Sequence, residues 1–172
     1  MKKLFIVRHA KSSWDYPHLE DDQRPLLEKG KKRTKLVIDY LLDNNVNVDL
    51  IVSSHAVRAL ETARILAHAL QYPMERIEVH KNFYYYDKDG LFNIFFDMPD
   101  EVNSIMIVGH NPTLTNFANH FLSRKIDWLP TSGIISLKFD AGKWTDIPTA
   151  KSSLDFYITP RMMKDKKKRN MN

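Results

Sequence analysis

Three short segments carry the residues that could do chemistry: Arg8-His9-Ala10, Ser54-His55-Ala56-Val57-Arg58-Ala59 and Gly109-His110-Asn111-Pro112. Each follows a β-type apolar run, Leu4 to Val7, Leu50 to Val52 and Ile105 to Val108. Ligands of open α/β sheets bind at the carboxyl ends of the strands, so these runs would aim two imidazoles and two guanidiniums at one crevice. The guanidinium forks of Arg8 and Arg58 match phosphate oxygens bidentately. Helix starts after Ser54 and after His110 add N–H groups and a dipole that favours an anion. The pattern therefore describes a pocket for a dianion. Nearby positive charge disfavours a protonated imidazole and keeps a lone pair free to attack phosphorus. His9, adjoining Arg8, is the expected nucleophile, with Arg8, Arg58 and His110 holding the equatorial oxygens in the transition state. The scheme calls for no metal and no cofactor.

The elements that must position these residues alternate along the chain. After the first strand and a loop from Lys11 to Arg24, Pro25 opens a helical pattern with Leu26, Leu27, Leu36, Val37, Tyr40 and Leu41 at helical spacing. Gly30 weakens its start and Asn44-Asn45 ends it. Ala56, Ala59, Leu60, Ala63, Ala67 and Leu70 form one face of a second helix, stopped at Tyr72-Pro73. A weak strand is expected from Arg76 to Val79 and a short helical segment from Leu91 to Phe96. Asn111 can cap a helix that has Pro112 at its first position. Ile134 to Phe139, a turn at Gly142, and Trp144 to Ile147 read as a terminal hairpin. Strands separated by helices predict an α/β fold, a three-layer α/β/α sandwich around a mostly parallel sheet, ending in that hairpin.

Composition bounds the function. The chain has 172 residues, 43% of them hydrophobic, which suits a single globular domain over residues 1–160. With no cysteine, disulfides, thiolate nucleophiles and cysteine-ligated zinc or iron–sulfur sites are excluded. Histidines at i, i+4 with a carboxylate partner are also lacking, so no metal site is expected. The net charge is +5, and residues 161–172, with six cations against Asp165, account for all of it. That run reads as a solvated, flexible basic tail, and the body offers no basic stripe interleaved with aromatics; nucleic acid is not an expected partner. The apolar run after Met1-Lys2-Lys3 stops at Arg8-His9, too early for a signal peptide, and no stretch is long enough to span a bilayer. A cytoplasmic protein with no membrane partner is expected.

Val7-Arg8-His9-Ala10, Ser54 through Arg58-Ala59 with Thr62-Ala63, and Gly109-His110-Asn111-Pro112 together resemble the histidine phosphatase (phosphoglycerate mutase-like) superfamily, in order from residue 4 to about residue 139. Arg8-His9-Ala10-Lys11-Ser12-Ser13-Trp14, followed by Asp22-Gln23-Arg24-Pro25-Leu26 and Gly30, is most similar to the short SixA-type phosphohistidine phosphatases. The resemblance implies a phosphohistidine intermediate on His9, with Arg8, Arg58 and His110 completing the pocket. It makes Ser12, Asp15 and Arg24 candidates for substrate contacts. Larger members of the superfamily carry an acidic proton donor before the Gly-His strand. Here the corresponding segment, Lys81 to Met98, has no glutamate at that place, and Asp87 or Asp89 are the substitutes on offer, with Asp15, where mutase-like relatives usually have an asparagine near the phosphate, as another candidate; a turn and a helix cap are the ordinary use of Asp87 and Asp89. Expelling an alkoxide needs a placed acid worth roughly 10²–10⁴ in rate. An imidazole, titrating near about 6.5, leaves with less help. The expected substrate is therefore phosphohistidine on a protein, the alternatives being a small phosphorylated metabolite or phosphate binding without catalysis.

Overall fold

The apolar runs become strands because their alternate residues face two different helical layers. Leu4 and Ile6 join one buried cluster while Phe5 and Val7 join the other, and Ile105 and Ile107 alternate in the same way with Met106 and Val108. The computed structural model describes all 172 residues. Its strands are β1 (Lys2–Arg8), β2 (Leu50–Ser54), β3 (Glu78–His80), β4 (Ser104–Gly109), β5 (Ile134–Phe139) and β6 (Ser152–Ile158). They form one sheet in the order β3-β2-β4-β1-β5-β6. The pairings β1–β4, β4–β2 and β2–β3 are parallel, whereas β5 runs antiparallel to both β1 and β6.

Register decides what the sheet presents. Arg8 lies opposite Gly109, and Ser53 opposite Val108, so the carboxyl ends of β1, β4 and β2 stand side by side at one level. On one face, α1 (Glu28–Asp43) and α2 (Val57–Ala69) bury Val37, Ile38, Leu41, Ala59, Ala63 and Leu66. On the other, α3 (Lys88–Phe92) and α4 (Thr113–Phe121) bury Leu91, Leu114 and Phe117 with Phe83, Phe95 and Trp144. Each large apolar side chain so buried contributes about 1.5–3 kcal/mol. The architecture is the expected three-layer α/β/α sandwich.

Glycine explains two close approaches. A Cβ on Gly30, in the first turn of α1, would fall 2.4 Å from the Lys11 carbonyl oxygen, so the glycine that weakens the helical pattern lets α1 pack on the loop after His9. Leu27 N–H donates to that same carbonyl, which is why α1 starts at Glu28 rather than Pro25. A Cβ on Gly109 would fall 2.1 Å from the Phe83 ring. Only glycine there admits the 3₁₀ turn Lys81–Tyr85 against the end of β4.

Two expectations are corrected. The hairpin's second strand is Ser152–Ile158, not Trp144–Ile147. Trp144 is fully buried, and its indole N–H donates to the Val102 carbonyl at 2.6 Å, which draws residues 144–146 into a 3₁₀ turn. Residues 161–172 are not a loose tail: α5 spans Pro160–Asn170 and lies on α1. Thr159 caps it by accepting the Met162 N–H, Pro160 sits at its first position, Met163 packs on the core, and Lys167 pairs with Asp39 at 2.9 Å. A local cap and an apolar anchor thus hold a segment whose composition reads as solvated.

Candidate active site

His9 follows β1 directly and is 7% exposed. Its Nδ1–H donates to the Ala10 carbonyl at 2.7 Å; a carbonyl can only accept, so the neutral ring carries its proton on Nδ1 and its lone pair on Nε2. Burial lowers the His9 pKa to about 3, and the Arg58, Arg8 and Arg24 charges add to that against the Ala10 hydrogen bond. The ring is therefore neutral at physiological pH with Nε2 free. Ala10 N–H donates to Thr62 Oγ1 at 2.9 Å, and Thr62 Oγ1 donates to the Arg58 carbonyl at 2.7 Å. One fully buried hydroxyl therefore ties the loop of the nucleophile candidate to the helix that carries Arg58.

His110 follows β4, its ring 5.4 Å from that of His9 between centroids. Ser54 Oγ accepts the Ala56 N–H at 3.3 Å and pairs with His110 Nε2 at 2.8 Å. Burial, then the neighbouring His9 and Arg58, lowers the His110 pKa to about 3. Arg8 donates to the Leu129 carbonyl at 3.1 Å and lies 5.6 Å from the Trp128 ring centre; burial and Arg58 push its pKa below the usual value. The Leu129 carbonyl also accepts from Asn111 Nδ2 at 2.7 Å, and Asn111 Oδ1 accepts from Thr115 N–H, so the Asn-Pro segment caps α4 and braces Arg8 together.

Arg8, Arg58 and His110 thus surround His9, and each retains a buried nitrogen without a partner: Arg8 Nε, Arg58 Nε and His110 Nδ1. Leaving such groups unmet costs about 1–3 kcal/mol apiece, which an anion bound among them would relieve. No three His, Asp or Glu side chains gather where they could share a metal ion.

The other sequence candidates divide. Arg24 is buried beside the pocket, donating to Ser12 Oγ at 2.9 Å and the Ser13 carbonyl at 3.2 Å, with Trp14 stacked on its guanidinium 3.5 Å from the ring centre. Ser12 therefore supports Arg24. Asp15 is exposed, and its only side-chain-mediated tie is its own N–H donating to Ser13 Oγ. Neither Asp87 nor Asp89 hydrogen-bonds or pairs with Arg8, His9, Arg58 or His110. Asp87 caps α3 by accepting the Gly90 N–H at 2.8 Å, and Asp89 lies at the surface beside Lys88.

Asp21 and Tyr84 are the site residues that sequence reasoning missed. Asp21 accepts from Arg58 through its backbone carbonyl at 2.6 Å and its Oδ2 at 3.0 Å, and from Arg24 Nε through Oδ1 at 3.0 Å. The Tyr84 hydroxyl donates to the same carboxylate. Partial burial works to raise the Asp21 pKa, but the Tyr84 hydroxyl and the Arg58 and Arg24 guanidiniums outweigh it and hold the pKa at about 2. Tyr84 also packs edge-on against His110, 5.1 Å between centroids, and against His55 at 5.6 Å. His55 itself pairs with Asp22 at 3.1 Å. The available signals were the tyrosine triplet at 84–86 and the acidic pair before Arg24-Pro25, both in irregular segments.

Comparison with known proteins places the chain in a family. The family model of the histidine phosphatase superfamily (branch 1) matches residues 4–91. An uncharacterized protein of Mycobacterium leprae is 30% identical over 168 residues, which cover 90% of this chain and all of the relative. Among solved structures, a candidate phosphohistidine phosphatase SixA from Agrobacterium tumefaciens superposes with a TM-score of 0.76 at 24% identity, covering 92% of this chain and 98% of that one. A mycobacterial glucosyl-3-phosphoglycerate phosphatase superposes at 0.64 with 14% identity over 91% and 98% of the two chains. At these identities the structural likeness is one of fold.

Proposed function

The chain belongs to the histidine phosphatase superfamily, and from that premise we propose that it is a metal-independent phosphatase acting on phosphohistidine carried by a protein, with His9 as the covalent nucleophile. The observation that carries this reading is the commitment of His9 Nδ1–H to the Ala10 carbonyl. It leaves Nε2 unprotonated, facing a pocket whose Arg8, Arg58 and His110 nitrogens lack partners.

In the first transfer, His9 Nε2 forms a bond to phosphorus as the bond from phosphorus to the substrate imidazole breaks in line with it. The departing imidazole takes up a proton from solvent. Because Nδ1 keeps its hydrogen, phosphorylated His9 is cationic, and its charge is offset by the phosphoryl oxygens and by the Ala10 carbonyl. Arg8 and Arg58 hold the equatorial oxygens throughout. In the second transfer, water attacks phosphorus, the phosphorus–Nε2 bond breaks, phosphate leaves, and His9 returns to its neutral Nδ1–H form. That ring is already a good leaving group, so neither transfer requires a strong general acid. Asp87, engaged in capping α3, and Asp89, paired with Lys88 at the surface, make no bond to the pocket residues, which fits such a substrate better than an alkyl phosphate.

A small phosphorylated metabolite is the second reading, favoured by the fold shared with the glucosyl-3-phosphoglycerate phosphatase. Turnover of a phosphohistidine protein and of phosphoramidate, measured against sugar and aryl phosphates, separates the two. We expect kcat/KM to favour the phosphorus–nitrogen substrates; a strong preference for an alkyl phosphate would overturn the proposal. No helix is long and apolar enough to cross a membrane.

A further inference from the structure

The correction at the C-terminus creates a surface. α5 docks on α1 and leaves a groove of about 740 Å³ between them, walled by Lys29, Lys32 and Arg33 of α1 and by Arg161, Lys164 and Lys168 of α5. The spacings are helical, i, i+3, i+4 on α1 and i, i+3, i+7 on α5, so each set forms one stripe facing the other. The single carboxylate on the wall is Asp165, and Leu36 and Pro160 supply the apolar part of the lining. Lys167, which pairs with Asp39, is not among the lining residues, so the contact that latches α5 leaves these six cations uncommitted. Like charges so gathered repel one another unless an anion lies between them.

We infer that this groove docks an acidic surface of the phosphoprotein substrate and steers it to the catalytic pocket. The inference rests on the reading of a protein-borne phosphohistidine. Continuity with the pocket supports it: a second cavity, of about 500 Å³, shares Arg33 and Arg161 with the groove and extends it to Pro130. Pro130 adjoins Leu129, whose carbonyl braces Arg8. A partner seated along α1 and α5 would thus lie beside the pocket mouth. The wall between α1 and α5 has no aromatic side chain, and the extension has only the half-buried Tyr157, which is no run of platforms on which successive bases could stack and argues against single-stranded nucleic acid. The site is concave, and α5 turns Pro160 and Met163 inward, leaving Met162 as the single exposed apolar residue beside the groove, too little for an apolar face that enters a bilayer. Carboxylates on a protein surface are what forked guanidiniums and mobile lysines in a short concavity fit.

The test uses the full chain and its Lys32→Glu/Lys164→Glu/Lys168→Glu variant, surface changes at residues outside the catalytic pocket, with equal thermal midpoints as the control for folding. The probes are a phosphohistidine-bearing acidic carrier protein, phosphoramidate, and a labelled polyglutamate peptide followed by anisotropy. At about 50 mM salt, kcat/KM on the phosphoprotein should fall about tenfold in the variant, and the difference should fade at about 500 mM as screening sets in. Phosphoramidate turnover should not change, and polyglutamate binding should be lost. Equal phosphoprotein turnover by both forms at low salt, or an equal loss on both substrates, would overturn the inference. So would binding of a DNA duplex or of phosphatidylserine vesicles that the variant loses while polyglutamate binds neither form. If the wild type turns over neither phosphorus–nitrogen substrate, the proposed function fails, and polyglutamate binding still decides the groove.

Discussion

Asp21 grips Arg58 through two oxygens, its main-chain carbonyl at 2.6 Å and its Oδ2 at 3.0 Å. That leaves Nε as the one buried guanidinium nitrogen without a partner. The carboxylate therefore fixes the fork from one side while placing a negative charge beside the site proposed for a dianion. Asp21→Asn keeps an oxygen for Arg58 but removes the charge. A unit charge a few ångströms away in a partly solvated site is worth about 1 kcal/mol, so inhibition by inorganic phosphate should tighten about threefold to tenfold. Competitive inhibition constants measured on both proteins check this, and weaker inhibition in the variant would contradict it.

Thr62 joins the two halves of the pocket, accepting from Ala10 N–H and donating to the Arg58 carbonyl. Thr62→Val keeps the shape and leaves the buried Ala10 N–H without an acceptor, a cost of about 1–3 kcal/mol in chemical denaturation. Because the loss falls on the loop of His9, kcat should drop more than KM rises, and Thr62→Ser should restore most of it. A valine variant with unchanged kcat and lowered stability would reduce Thr62 to a purely structural residue.

The two buried imidazoles make the pocket insensitive to the pH at which histidines usually titrate. His9 and His110, each held at about 3, should stay neutral in an NMR titration from pH 8 to 5. The unfolded chain would protonate both near 6.5, so it binds more protons than the folded one between about 6.5 and 3. This contribution to stability is complete above 6.5 and is lost as the pH falls toward 3. The urea midpoint should decline over that window, and His9→Asn should make the decline shallower. An equally steep decline in the variant would exclude His9 as a cause.

How much of this was legible beforehand depended on whether regular structure fixed the residue. Arg8, His9, Arg58 and His110 could be assembled from sequence because each stands at the end of an apolar strand or the start of a helix, and parallel pairing brings such ends level. Asp21 and Tyr84 lie in 3₁₀ turns and loops, whose paths no periodicity dictates, so their meeting over Arg58 was invisible. Composition misled at the C-terminus, although Thr159-Pro160 is a readable helix start that the basic run obscured. β6 was missed because, as an edge strand, it is mostly half-exposed and its alternation is faint.

The covalent role of His9 is the centre of the account. Rapid quench of the enzyme with ³²P-labelled phosphoramidate, followed by peptide mapping, should recover acid-labile, base-stable phosphate on the peptide containing His9, formed within the first turnover and lost in His9→Asn. Full turnover with no label on His9, or label that persists in the His9→Asn protein, would contradict it.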